Sequence, residues 1–577
     1  MLDTATYDDV ISKRKSYALM RSEMLNVRAS WEPHWMELAN FVKPRRIRLF
    51  ASERNRGEKR NQKIMDSTAG YCLEILRSGM HTGLTSPASP WLELSLTDTD
   101  MAAYLPVKVW LAEVTRVLLM LMQKSNLYNI LPTLYGDQAL FATGAMATIE
   151  DTEDAVRSYS YPIGSYAAGL DQRGKVSSFM REFTMTVRDV VKEFGLGPGT
   201  RNIDWTNISQ TVKQMWDLGK YTAAVDVTQV ITPNDEFNPS RYESQYKRFA
   251  SCWFETGSTE EKFLRESGYN EMPVFMPRWE ATGEDTYGTE SPGMVALADI
   301  KGLQVGERRG LQALEKMLNP PLQAPTSMQR VGVSVLPGGT NYHDVHTGQE
   351  GIRSIYDVRF PIDQLEVKQQ AIRQRLERNF YTNLFLMMAS SQTSDITARE
   401  VAERHEEKLL ALGPVVQRND DELLTPLVFR HLAIANRRGL IPPAPAEAQG
   451  QEMTLTYISM MHQAQKLVKV SGQERFIQNI GELSQFFPEV RAKVSIFDTV
   501  DVYADMLSIE PKQLRTNEAA QAIVDEQNRA AAQQAAVDQA SAGAGAVKSL
   551  AGADMSSDNV LKRMIQGAGG VTGAPAA

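Results

Sequence analysis

The chain is 577 residues long, with 42% apolar residues, 23% charged residues and a formal net charge of −8. Those values fit a soluble globular protein with sizeable cores and roughly three to four domains, and they demand no nucleic-acid-wrapping surface. Its two cysteines, Cys72 and Cys252, lie far apart without a CxxC partner, which excludes thiolate zinc sites and a disulfide framework and fits a reducing interior. The opening MLDTATYDDVISKRK has no apolar stretch of a signal peptide, and the longest apolar run, VLLMLM at 117–122, is too short to span a bilayer. A soluble intracellular product with no membrane partner is expected.

In chain order, residues 7–43 read as helix, with Trp31, Trp35, Leu38 and Phe41 on one stripe. Basic residues cluster in the loop 43–63, which has no interleaved aromatic apart from Phe50 and so lacks stacking platforms for single strands. A second helix begins near Asp66 and Ser67, both good capping residues. Strand-like alternation fills 145–186 and returns at 248–255, with helices expected at 187–194 and 208–216. The first 290 residues are therefore α+β. Beyond them the chain turns mostly helical. Ser291-Pro292 marks a helix start, Leu297, Ile300, Leu303, Leu311, Leu314 and Leu318 form its stripe, and Asn319-Pro320-Pro321 ends it. Residues 320–360 are rich in Gly and Pro. A helix over 362–388 carries Leu365, Ile372, Leu376, Phe380, Leu384 and Met387 on one face.

After the polar loop ASSQTSD, residues 397–443 read as one long helix. Thr397 with Glu400 forms a capping box, and Gly439 followed by Pro442-Pro443 is the stop. Gly413-Pro414 in the middle predicts a kink, because Pro414 lacks a donor and its ring clashes with the preceding turn. The carboxylates Glu403, Glu406, Glu407, Asp420, Asp421 and Glu422 read as a solvated or subunit-facing surface rather than catalytic acids. PPAPAEAQGQE is a linker, two helical regions follow, and the last thirty or so residues are Ala/Gly/Ser-rich, as in a mobile tail.

Enzyme motifs fail on inspection. GLDQRGK at 169–175 matches G-x-x-x-x-G-K, but Val176 stands where Ser or Thr would hold magnesium, and a strand follows where a phosphate loop must open a helix. A hairpin turn is the better reading. GLGPG at 195–199 reads as a loop. His343, Asp344 and His346 lack a supporting ligand shell and read as a solvated turn. No catalytic residue, cofactor or metal site is expected.

Several ordered stretches resemble the portal (head-to-tail connector) proteins of short-tailed double-stranded DNA bacteriophages. They are DSTAGYCLEILRSGMHTGLTSPASPWLEL, MPRW, YGTESPGMVALADIKGL, NPPLQAP, LPGGTNY, LLALGPV with LIPP, LTYISMMHQAQ and QLRTNEAAQAI. The resemblance implies an α+β, mostly helical portal fold whose copies close into a ring, usually of about twelve. It implies a wing over 1–290, a first stem helix over 291–318, a clip over 319–360 and a second stem helix over 361–388. A tunnel loop would follow over 389–395, then the kinked helix and remaining wing over 396–490, and a crown and tail over 491–577. Double-stranded DNA would pass through the channel, and the terminase large subunit, a tail adaptor, and capsid and scaffolding proteins would be the other partners. Assembly would occur in the host cytoplasm, and the product would sit at the portal vertex of the virion. The candidate channel residues are Lys368, Arg373, Arg375 and Arg378, half of them expected to pair with a neighbouring stem, and Ser390, Ser391, Gln392, Thr393 and Ser394 of the tunnel loop. Gln329, Arg330, His343 and His346 are the clip candidates, and Gly413 and Pro414 the helix corner.

Overall fold

The computed structural model describes residues 12–51, 57–98, 101–102, 104–197, 199, 202–323, 352–354, 361–391, 412–462 and 517–551, with a few isolated positions besides. The chain divides into two units, Met1–Glu474 and Arg475–Ala577.

In the first unit, the expected opening helix is two helices, α1 (Lys13–Ala29) and α2 (Glu32–Phe41). Pro33 explains the break: it has no N–H to continue the ladder but suits the first turn of a new helix. Trp35 is buried and meets Tyr287 edge-on at 5.0 Å between ring centroids. Helix α3 (Thr68–Leu84) follows as expected, its first turn held by Asp66, whose Oδ1 accepts from the Thr68 amide at 2.8 Å. Two further helices, α4 (Leu105–Lys124) and α5 (Leu127–Phe141), pack into the same core through Val107, Leu111, Leu118, Leu131 and Leu134.

The strands form separate antiparallel sheets. β2 (Ala145–Asp151) pairs with β3 (Ala155–Tyr161) on one side and with the short β9 (Val274–Phe275) on the other. The larger sheet is a meander of β4 (Tyr166–Leu170), β5 (Val176–Thr186), β6 (Ala224–Pro233), β7 (Phe249–Glu255) and β8 (Arg265–Tyr269). Met24 of α1 packs on this sheet with Ala167, Met180, Val230 and Phe254, and Arg14 lies over the Phe254 ring at 3.7 Å. Short α6 (Val187–Val190) and α7 (Gln210–Asp217) cover the sheet's other end through Val187, Val190 and Val212. β1 (Leu92–Leu96) finds its partner far along the chain in β12 (Met453–Tyr457), Leu92 opposite Tyr457. The remaining ladder pairs β10 (Leu322–Gln323) with β11 (Arg353–Ser354).

Helix α8 (Pro292–Leu318) starts as the sequence indicates, with Ser291 Oγ accepting from the Met294 amide at 3.2 Å. Its 27 residues make it about 40 Å long. The helix expected over 362–388 is broken instead into α9 (Ile362–Asn379) and α10 (Thr382–Ser391), with Tyr381 at φ 53 between them. A non-glycine residue in the left-handed region costs about 1–2 kcal/mol. The turn buries Phe380 and Phe385 completely, at roughly 1.5–3 kcal/mol each, so packing outweighs the strain. Phe385 occupies the space where a side chain on Gly79 of α3 would stand.

Residues 412–437 are helical throughout but change pitch at Asp420–Leu424, a π-helical turn that leads into α11 (Thr425–Arg437). Pro426 sits in the first turn of α11 and cannot donate to the ladder, so the wider turn absorbs the missing bond. The turn that precedes Gly413-Pro414, and the Thr397 cap, lie outside the described residues. The stop is as read: Gly439 takes φ 65, and the Leu440 amide returns to the Ala435 carbonyl at 3.0 Å. The described part of the second unit is chiefly α12 (Asn517–Ala551), an alanine-rich helix of 35 residues and about 52 Å.

His431 of α11 is fully buried, its Nδ1 2.8 Å from the Leu427 carbonyl. Burial pulls the imidazole down to about 4, although that hydrogen bond favours the charged form. A folded-state value below the unfolded one, about 6.5, means that protonation favours the unfolded chain. The His431 contribution is intact above pH about 6.5 and is lost progressively as the pH falls toward 4. Urea unfolding at pH 7 and pH 4.5 should show the wild type losing about 2–3 kcal/mol more than His431→Gln. Equal losses in the two proteins would refute the assignment.

Candidate functional site

Helices α8 and α9 lie antiparallel, and small residues set their distance. A side chain on Gly310 would meet Leu365 at 2.9 Å, and one on Gly306 would meet the Gln369 amide at 3.6 Å. At its start α8 approaches α5 so closely that a Cβ on Gly293 would lie 2.7 Å from the Leu140 carbonyl. Its inner face buries Ala296, Ile300 and Leu303.

Charge then fixes the pair. Arg373 donates from Nε and Nη2 to Asp66 Oδ2 at 3.0 and 2.9 Å, and from Nη2 to Glu307 Oε1 at 2.6 Å. One guanidinium thus joins α9, α8 and the segment leading into α3. Buried Gln304 completes the join: its Oε1 accepts from the amides of Met65 and Asp66, and its Nε2 donates to the Asp66 carbonyl at 2.8 Å. Burial alone would push the Asp66 carboxyl up, but hydrogen bonds from Thr68 and Arg373 hold it below its usual range. Arg375 makes a second, more open tie, bidentate to Asp299 at 3.1 and 2.6 Å.

Of the four channel cations named from sequence, Arg373 and Arg375 are engaged within the chain. Lys368 and Arg378 are exposed and carry no ion pair among the described residues. Ser390 and Ser391 fall in the last turn of α10. Gln392, Thr393 and Ser394 lie outside the described residues, as do Arg330, His343 and His346, and Gln329 is an isolated exposed position. Gly413 and Pro414 stand in the helical stretch that starts at 412, with Pro414 exposed and Leu412, Val415 and Val416 buried.

The 412–437 helix is bolted to the sheet β3-β2-β9 and its flanks by arginines. Arg430, 2% exposed, donates to the Thr148 carbonyl at 2.8 Å and to Glu271 Oε2 at 3.0 Å. Arg437 reaches Glu150 and Glu271, and Arg418 donates to the Trp279 carbonyl at 3.0 Å. The solvated-face reading of two carboxylates is corrected here. Glu422 accepts from the Arg278 backbone amide at 2.8 Å and from its guanidinium, and Asp420 meets His462 Nε2 at 2.9 Å. Both side chains are partly buried in these contacts, whereas Asp421 between them is exposed. Ser459, His462 and Asp420 have the order of a hydrolase triad, with Ser459 Oγ 2.7 Å from His462 Nδ1. Ser459 and His462 are buried, so the group ties the end of β12 to the π turn.

Within residues 169–175, Gly169 and Leu170 end β4 and residues 171–175 form the hairpin turn to β5. Asp171 Oδ1 accepts from the amides of Arg173 and Lys175 at 2.9 and 2.8 Å, and Gly174 takes φ 70. In the basic loop, Arg46 pairs with buried Asp137, and Lys43 with Glu74. Among the described residues no group of three or more metal-binding side chains gathers, and no helix is long and apolar enough to cross a membrane.

The family model for bacteriophage head to tail connecting protein matches residues 14–514. The portal protein of Salmonella phage epsilon15 is 39% identical over 548 residues, covering 95% of this chain and 97% of that protein. The probable portal protein of Bordetella phage BPP-1 is 36% identical over 566 residues, covering 97% and 99%. A chain from the virion of a native gene transfer agent particle matches at 12% identity over 70% of this chain and 89% of its own length, with a TM-score of 0.28, too low to carry an argument. The chain belongs to the bacteriophage head-to-tail connecting family. Its function is that of a phage portal, the connector between head and tail.

Removing Arg373 would leave Asp66, 9% exposed, and Glu307 facing each other without a counter-charge. Arg373→Ala should destabilise the fold by about 2–3 kcal/mol. Arg375→Ala, whose pair is open to water, should cost much less. Equal losses in denaturant unfolding would show that the Asp66–Arg373–Glu307 join is not what holds the helices.

Proposed function

We propose that copies of this chain close into a ring at one vertex of the phage capsid, with the α8–α9 pair running along the wall of a channel for double-stranded DNA. The observation that carries the reading is the near full-length identity to two phage portal proteins, joined to the long antiparallel helix pair clamped at its base by Arg373. In this reading residues 1–290 and 396–490 make the wing, 291–318 and 361–388 the stem, 319–360 the clip, 389–395 the tunnel loop and 491–577 the crown and tail. The clip, with Gln329, Arg330, His343 and His346, is the platform for the terminase large subunit and later the tail adaptor. Capsid and scaffolding proteins surround the wing. The role is structural, with strand translocation powered by the terminase.

Lys368 and Arg378 supply sparse positive charge to passing phosphates, and Ser390–Ser394 supply sequence-blind polar contacts. Sparse charge on an acidic subunit suits a conduit, because a strongly basic wall would hold DNA in place. The corner at Gly413-Pro414 links the tunnel loop to the wing.

Negative-stain imaging of the purified protein should show rings with a central hole, and a compact monomer at high concentration would overturn the reading. The double variant Lys368→Ala, Arg378→Ala should still form rings but alter the rate of DNA packaging. Unchanged packaging would remove these two side chains from the channel assignment.

A further inference from the structure

The two edges of the α8–α9 pair carry opposite charge at the same height. On the side of α8 turned away from α9, a groove of ≈ 700 Å³ runs between α8 and α2, lined among others by Met36, Lys63, Val305, Arg308, Arg309 and Gln312. Met36 is 44% exposed and Val305 49%, so the groove has an apolar floor open to solvent. Arg308 and Arg309 are exposed and have no ion pair among the described residues. The far side of α9 presents Asp363, Val367, Gln370 and Gln374, spaced for one helical face opposite the buried Leu376 and Ile372. Val367 is 70% exposed, and Asp363 and Glu366 are exposed without an ion pair among the described residues.

Height follows from the contacts inside the pair. Gly310 lies against Leu365, Gly306 against Gln369, and Asp299 binds Arg375. Arg308 and Arg309 are therefore level with Glu366 and Val367, Gln312 with Asp363, and Val305 with Gln370. For a ring axis parallel to the helices, rotation leaves height unchanged, and the cationic edge of one copy would then meet the acidic edge of the next in register.

We propose that the groove between α2 and α8 receives the outer face of α9 from a second copy of this chain. Val367 docks on Met36 and Val305, and Asp363 and Glu366 face Arg308 and Arg309. The inference rests on the ring reading and names the lateral contact that closes it. Such a head-to-tail contact uses two different surfaces per subunit, and closes only if each copy offers both. Charge matching at its rim fixes the height of one stem against the next and rejects slipped pairings.

The test uses the full-length protein. Arg308→Glu with Arg309→Glu, or Asp363→Arg with Glu366→Arg, puts like charges across each contact. Either variant should weaken lateral association on the order of tenfold per contact, enough to abolish rings that many contacts close together. The chain carrying all four reversals should form rings again, and so should an equimolar mixture of the two variants, since each then offers the edge the other needs. Independently, Val305→Cys with Gln370→Cys should give a ladder of covalent oligomers on oxidation, the native Cys72 and Cys252 being buried. Rings that persist in both reversal variants, or wild-type-like rings of the cysteine variant that yield no ladder, would overturn the contact while leaving the ring reading in place. Failure of the wild type to form rings would instead overturn the ring reading.

Discussion

Arg373 is the point at which three parts of the fold become one. Its guanidinium is held by Asp66, just ahead of α3, and by Glu307 on α8, while its own backbone belongs to α9. Two helices joined only along their length could slide or splay, because apolar side chains enforce contact but not register. A forked donor between two fixed carboxylates enforces register, since it satisfies both at one height only. Gln304 repeats the constraint with backbone partners on the same segment. The base of the pair is thus anchored to the core, and the faces left over are presented outward in a defined orientation.

Close approach makes this clamp possible. Gly306 and Gly310 bring α9 near enough for Arg373 to reach across α8, and Gly293 seats the start of α8 on the Leu140 carbonyl. Gly79 does the same for α10, whose Phe385 takes the place of a side chain on α3. The strained Tyr381 is a consequence: the chain turns there because the cavity over Gly79 and the interior demand Phe380 and Phe385 together. Contacts, rather than a proline or glycine at the break, decide where α9 ends.

What could be read from sequence was whatever is local. The Ser291-Pro292 start, the Gly439 stop and the Asp171–Gly174 turn are short-range chemistry, and each stands in the structure as the residues indicate. Remote pairing was not legible. β1 meets β12 across most of the chain, and Asp66 meets Arg373, with nothing in either neighbourhood to announce the other. Helix α5 was hidden by its mostly buried second half and by Pro132 inside it, which blur the period that marks a helix, whereas α4 does carry that period in Val107, Leu111, Val114, Leu118 and Leu121. The π turn was not legible for a different reason: Pro426 signals a missing donor, but not whether the ladder answers with a kink or with one wider turn.

The same distinction governs where positive charge remains available. Arg278, Arg418, Arg430 and Arg437 are committed to holding the 412–437 helix, and Arg46 to Asp137. These cations are conspicuous in sequence yet serve the interior. Lys368 and Arg378 on α9, with Arg308 and Arg309 on α8, remain exposed on the helix pair without an ion pair among the described residues. Arg308 and Arg309 stand on the side of α8 turned away from α9. Arg378 continues the outer face of α9 one turn beyond Gln374, whereas Lys368 stands off that face. The Arg373 clamp decides which of these charges reach each side of the pair, because it fixes how the two helices are turned.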